Sequence, residues 1–174
     1  DEEAKSMVFG EKEKGIQYIE KLMTMDNNYF NPQYIYCAIK EGNIVGVIGG
    51  YGVDKKSEID KASGRDFIKV FGIWPFLKRL PTIMKMNKMM SKDMDEDGYY
   101  IHVLCVNEKN RREGFGTEML KAIEQEHKKL YLHVSINNTK ARAFYEKYGF
   151  KVQSEDSIIY KGKKVGTCLV KKEK

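Results

Sequence analysis

The stretch R-R-E-G-F-G-T-E-M-L, residues 111–120, follows directly on the apolar run I-H-V-L-C-V of residues 101–106, with only a short polar turn between them. A strand-like run therefore passes through a basic turn containing two glycines into an amphipathic helix. The N–H groups of a helix's first turn have no partners within the helix and lie at the positive end of its dipole, so an anion docks there if nothing bulky intervenes. Gly114 and Gly116 remove side chains that would obstruct such an anion, and Arg111 and Arg112 add positive charge. The spacing excludes two other phosphate loops: there is no Gly-Lys-Ser/Thr ending and no G-x-G-x-x-G at this turn.

Ten residues after the end of this stretch comes a second informative segment, L-Y-L-H-V-S-I-N-N-T-K-A-R-A-F-Y-E-K-Y-G-F, residues 130–150. It alternates as a strand to Ser135 and then reads as a helix capped by Asn138 and ended by Gly149. The first motif, R-x-x-G-x-G, resembles the acyl-coenzyme A pyrophosphate loop of the GCN5-related N-acetyltransferases, the GNAT superfamily. The second resembles that superfamily's N-x-x-A-x-x-x-Y-x-x-x-G-F signature, with Asn138, Ala141, Tyr145, Gly149 and Phe150 at the matching places.

The resemblance implies an α/β (α+β) fold: a mixed, mostly antiparallel sheet with helices on both faces and a central parallel pair of strands that splay apart. Those two strands fall at 99–106 and 130–135. The cofactor implied is acetyl-CoA, held by Leu104, Cys105 and Val106 at the strand end, by Arg111, Arg112, Glu113, Gly114, Phe115, Gly116 and Thr117 in the loop, and by Asn138, Ala141 and Tyr145 beyond it. Tyr145 matches the family's general acid, and a backbone N–H near Val106 is placed to meet an oxyanion.

Outward from these motifs, a helix is expected over 13–25, a hairpin of strands 34–40 and 43–51 turning on Glu41-Gly42, a helix over 117–128 and another over 139–148. A second hairpin, 151–160 with 164–170, turns on Lys161-Gly162. Only residues 7–10 could supply the strand with which the family usually opens. The whole of 1–174 reads as one domain interrupted by an insertion at about 61–94, helical in pattern, broken at Pro75 and Pro81, and holding five of the nine methionines.

Acetyl transfer to an amine requires the neutral amine, whereas a free alkylamine titrates near pKa ~10, so a base is needed. Of the three histidines, His127 sits near the end of a charged helix and is expected to face solvent. His102 and His133 lie on the two strands that flank the cleft. His133 shares a strand face with Tyr131 and Ser135 and stands where some members of the superfamily carry a glutamate base. His102 matches a position where others carry a histidine. Either can serve as the base, and no metal is called for.

The net charge of +6 rests on 31 basic against 25 acidic residues, with no nucleic-acid motif beside them. A diphosphate-bearing cofactor accounts for the cluster at 109–112. No nucleic-acid partner is expected, and no membrane partner, because the polar and apolar faces of 78–92 are not cleanly separated in sequence. The acidic group Asp93, Asp95, Glu96 and Asp97 reads as a solvated turn. Three cysteines without a C-x-x-C pair point to reduced thiols in the cytoplasm, with Cys105 in the core. The chain starts at Asp1 rather than Met, which leaves a preceding segment open. The favoured function is transfer of an acetyl group from acetyl-CoA to a primary amine of a small molecule or peptide. A non-catalytic acyl-CoA sensor of the same fold and a transferase of another acyl group or to a hydroxyl are the alternatives. The acceptor and the oligomeric state, monomer or homodimer, are not readable.

Overall fold

A computed structural model describes residues 12–90, 93–160 and 162–174. Residues 7–10, the one candidate for an opening strand, lie outside them. The chain forms two compact units, one holding the described residues up to Pro32 together with those of Lys55–Asp93, the other Gln33–Asp54 and the described residues of Met94–Lys174.

The first unit is helical: α1 (Lys12–Met23), α2 (Lys56–Phe71) and α3 (Ile73–Met90). Leu22, Phe67 and Phe71 form its buried centre, with Tyr18 meeting the Phe71 ring edge-on at 4.8 Å. Beside this apolar cluster, Asn28 is completely buried and satisfied. Its amide donates to the carbonyl of Leu22 at 2.9 Å and to the Asp66 carboxylate at 3.1 Å, while its Oδ1 accepts from the Phe30 N–H at 2.9 Å. Burial of such groups is tolerable only with this degree of pairing.

The expected insertion thus consists of two helices, but the break between them is not at proline. Gly72, at φ +79°, separates α2 from α3. Pro75 falls in the first turn of α3, where an N–H would have no intrahelical acceptor, and Pro81 lies inside the helix, which runs on through it.

The second unit is a six-stranded sheet in the order β1-β2-β3-β4-β6-β5, made of β1 (Ile35–Lys40), β2 (Asn43–Gly52), β3 (Tyr99–Val106), β4 (Lys129–Ser135), β5 (Lys151–Tyr160) and β6 (Lys163–Glu173). The β1–β2 hairpin turns on Glu41 and Gly42, both at positive φ (51° and 77°), as a two-residue turn of matching twist demands. All neighbours are antiparallel except β3 and β4.

Helices α4 (Phe115–Glu126) and α5 (Thr139–Tyr148) pack on one face of this sheet. The helix expected at 117–128 therefore starts two residues earlier, because Gly114 rather than Gly116 ends the turn. Met119, Leu120 and Ile123 of α4 join Ile101, Leu130, Leu132, Val134, Phe150, Cys168 and Val170 in one core cluster, against which Ala141, Phe144, Tyr145 and Tyr148 of α5 pack. The α5 C-terminus closes with Gly149 at φ 107°, its N–H on the Glu146 carbonyl and the Phe150 N–H on that of Tyr145, each at 2.9 Å. Glu124, on α4, accepts from the Tyr148 hydroxyl at 2.7 Å and from Lys172 of β6 at 2.8 Å, tying both helices to that strand.

One expectation about exposure is overturned. Cys105 is exposed and Cys168 is the cysteine in the core, because a bulge in β3 changes which side chains of its second half face inward. The acidic turn is exposed, as expected, and carries ion pairs as well: Asp95 with Lys129 and Lys171, each at 3.1 Å, and Asp97 with Lys129 at 2.9 Å.

Candidate active site

The parallel pairing of β3 with β4 runs through Tyr99↔Leu130, Tyr100↔Tyr131 and Ile101↔Leu132 and then stops. Both strands continue, to Val106 and Ser135, so the sheet opens into a fork. The first residue past the last pair is a histidine on each strand, His102 and His133.

The fork has a local cause. Gly49 pairs with Val103 and Gly50 with Ile101, which leaves His102 as the extra residue of a bulge in β3. A Cβ at Gly49 would lie 2.9 Å from the His102 ring and from the Val103 side chain, so glycine in β2 lets these side chains lie against the strand. His102 stacks on Tyr51 with ring centres 5.6 Å apart. His133 Nδ1 is hydrogen-bonded to the Tyr100 hydroxyl at 3.0 Å, which fixes the orientation of its ring. Both histidines are half-buried, and Tyr131, which shares the strand face of His133, is almost wholly buried. His127 is not solvent-facing: it stacks on Tyr99 at 4.1 Å, and the burial lowers its pKa.

At the other end of β3 the chain enters the basic turn. Asn107 caps a short 3-10 turn over Glu108–Asn110, Arg112 takes a left-handed conformation at φ 71°, and Gly114 another at φ 95° immediately before α4. The N–H groups of Phe115 and Gly116, in the first turn of α4, precede any acceptor four residues back within the helix. The two glycines have different work. A Cβ on Gly114 would meet nothing within 4 Å, so its role is conformational; one on Gly116 would stand 3.3 Å from the Phe144 ring, so its role is the approach of α4 to α5.

Arg111, Arg112 and Glu113 are exposed, while Phe115, Gly116 and Thr117 are half-buried. Arg111 Nε donates to the Val106 carbonyl at 3.4 Å, drawing the loop back onto the end of β3. Glu113 is held by Lys40 at 2.7 Å, which lowers its carboxyl pKa, and the same ammonium lies 5.9 Å from the centre of the Phe115 ring. Lys40 was not legible as part of the loop: it comes from β1, 73 residues away, and carries no motif.

On α5, the Asn138 side chain accepts from the Ala141 N–H at 3.1 Å as N-cap, and Ala141 packs against the core. The Tyr145 ring lies between Phe144 at 5.2 Å and Phe150 at 5.5 Å, and burial pushes its hydroxyl pKa up to about 12. It also lines a cavity of about 490 Å³ with Val134, Arg142 and Phe150. Tyr145 belongs to the sheet face that carries α4 and α5, whereas His102 and His133 join Tyr51 and Tyr100 on the opposite face. Acid and base candidates are thus on opposite sides of the sheet, with the fork between β3 and β4 as the opening through it. Leu104 and Val106 pack against the helical face and Cys105 does not, so the three strand-end residues are divided between the faces.

A forked parallel pair in a mixed sheet, followed by a left-handed turn into a helix N-terminus, defines an acyl-coenzyme A-binding acetyltransferase fold. The chain belongs to the acetyltransferase (GNAT) family, whose sequence model matches residues 5–150. Among solved structures, the chain is similar to an N-acetyltransferase from Staphylococcus aureus Mu50, with 22% identity, a TM-score of 0.67, and coverage of 92% of this chain and 81% of that one. It is also similar to a GNAT family acetyltransferase from Elizabethkingia anophelis with acetyl-CoA bound, at 18% identity, a TM-score of 0.50 and 89% of each chain. At such identities the likeness is one of fold. No curated protein matches the sequence. The family uses acetyl-CoA, and the turn has what an anion needs: exposed Arg111 and Arg112 beside the first-turn N–H groups of α4.

Proposed function

We propose that this protein is an N-acetyltransferase that delivers the acetyl group of acetyl-CoA to a primary amine of a small molecule or peptide, by direct attack with both substrates bound. The observation that carries the reading is the fork, with a histidine at the first unpaired step of each strand and Tyr145 on the opposite face. Arg111, Arg112 and the backbone of 113–117 would hold the diphosphate, and 104–106 with Asn138 and Ala141 would line the arm. Bound there, the cofactor supplies an acetyl group activated as a thioester.

The chain's own residues supply proton handling. An amine arrives as an ammonium at neutral pH, and a histidine at the fork is suited to take its proton. His133 is the stronger candidate, since the Tyr100 hydroxyl orients its ring. Tyr145, with its pKa raised to about 12, keeps its proton at neutral pH and can donate it to a developing anion. Three free cysteines among the described residues accord with a cytoplasmic setting.

The test is release of coenzyme A thiol from acetyl-CoA against polyamines, aminoglycosides, arylalkylamines, amino acids and peptide N-termini. Release with one class establishes the transferase and names its acceptor. Silence across the panel, in protein that acetyl-CoA stabilises thermally, transfers the assignment to a sensor of the same fold.

A further inference from the structure

Helix α3 presents an outward surface that the acetyltransferase reading does not use. Ile73, Trp74, Leu77 and Met84 are 64%, 77%, 47% and 63% exposed, and Pro81 between them is exposed as well. At about 100° per residue these five fall within one arc of the helix, roughly 100° wide. Lys78 and Lys85 border that arc on one side, Lys88 emerges within it near the C-terminal end, and all three are exposed. Phe76, at the opposite side, packs into the core with Phe71. The eighteen residues of α3 include four basic side chains and no acidic one. The exposed apolar side chains of the folded helix thus form one arc, interrupted by Lys88 near its C-terminal end.

We infer that α3 is an in-plane docking helix for an anionic lipid surface. The apolar arc carries the side chains that enter the boundary between headgroups and acyl chains, with an indole at its edge. Lysine stems reach from the arc to the headgroup level, which makes Lys88 compatible with immersion of its neighbours. The surface is a single convex helix, so a flat bilayer matches it better than a partner that must insert a ridge into a groove. Its uniform positive charge complements anionic headgroups. Among the described residues no helix is long and apolar enough to cross a membrane, so α3 lies on the bilayer rather than spanning it.

The chain has one tryptophan, Trp74, so its fluorescence reports on this surface alone. The full protein is mixed with vesicles of phosphatidylcholine or of phosphatidylcholine with phosphatidylglycerol, then followed by emission and by flotation. The expected result is a blue shift and co-flotation with the anionic vesicles only, weakened by salt. Lys78→Gln with Lys85→Gln should lower partitioning about 30-fold, since each lysine near the surface is worth about a factor of five. Trp74→Ala should lower flotation while leaving the thermal melt unchanged, because the side chain is exposed. Unshifted emission and no flotation with anionic vesicles would overturn the inference, as would equal binding to neutral ones. A blue shift that grows with protein concentration without lipid would instead assign the face to a second copy of the chain.

Discussion

Tyr145 and Gly116 show how much a single position decides. Tyr145→Phe keeps the ring between Phe144 and Phe150 and removes only the hydroxyl, so kcat should fall about 100-fold or more while acetyl-CoA affinity changes little. Parallel loss of both, measured by steady-state kinetics and calorimetry, would remove Tyr145 from the chemistry. Its pKa, raised from 10 to about 12 by burial, makes the neutral form the one that fits the fold. The stability it contributes is complete below pH 10 and is lost as the pH rises toward 12, so Tyr145→Phe should shift alkaline unfolding to higher pH. At the turn, Gly114→Ala should cost about 1–2 kcal/mol from its left-handed backbone alone. Gly116→Ala should instead displace Phe144 and weaken acetyl-CoA binding, with cofactor titrations separating the two effects. The motif residues were legible because glycine and N-cap asparagine are demanded by backbone geometry that leaves a trace in spacing. What sets the two histidines apart was not, since it is the hydrogen bond between His133 and Tyr100, 33 residues away.

Elements were legible where one physical rule governed them. Both hairpins are marked by a glycine in the turn between their strands, Gly42 and Gly162, each at positive φ, and α5 is bounded by an N-cap and a terminal glycine that the sequence displays. The helices of the first unit were read less well, because proline is ambiguous: in the first turn of α3 Pro75 costs nothing, and the break comes at Gly72 instead. That unit's stability depends on a polar centre with no sequence signature. Asn28→Ala should destabilise the protein by about 2 kcal/mol or more, measured by urea denaturation, since it leaves the buried Asp66 carboxylate and the Phe30 N–H short of a partner. At the basic turn, Arg111→Ala should weaken acetyl-CoA binding most at low salt and change kcat little, as a screened charge contact requires.

Across the whole molecule, charge sets the acid limit. Asp95 is held at a pKa of about 2 by Lys171 and Lys129, below the ordinary carboxyl value. Its contribution to stability is complete above about pH 4 and is lost as the pH falls toward 2. Asp95→Asn should therefore flatten the acid limb of a stability profile recorded by thermal melts, and an unchanged limb would show these pairs to be solvated and idle. The sequence displayed the charges but not their pairing, which joins a loop to β4 and β6. Strand order was likewise hidden, because β6 enters between β4 and β5 rather than at an edge. That placement has a consequence for how the protein is born. On the ribosome β5 emerges with no resident neighbour, and it can join the sheet only when β6 has followed it out to bridge the gap to β4. The same late-arriving strand brings Lys172 to Glu124, so the helices around the fork receive their common tether only after every other strand of the sheet has been made.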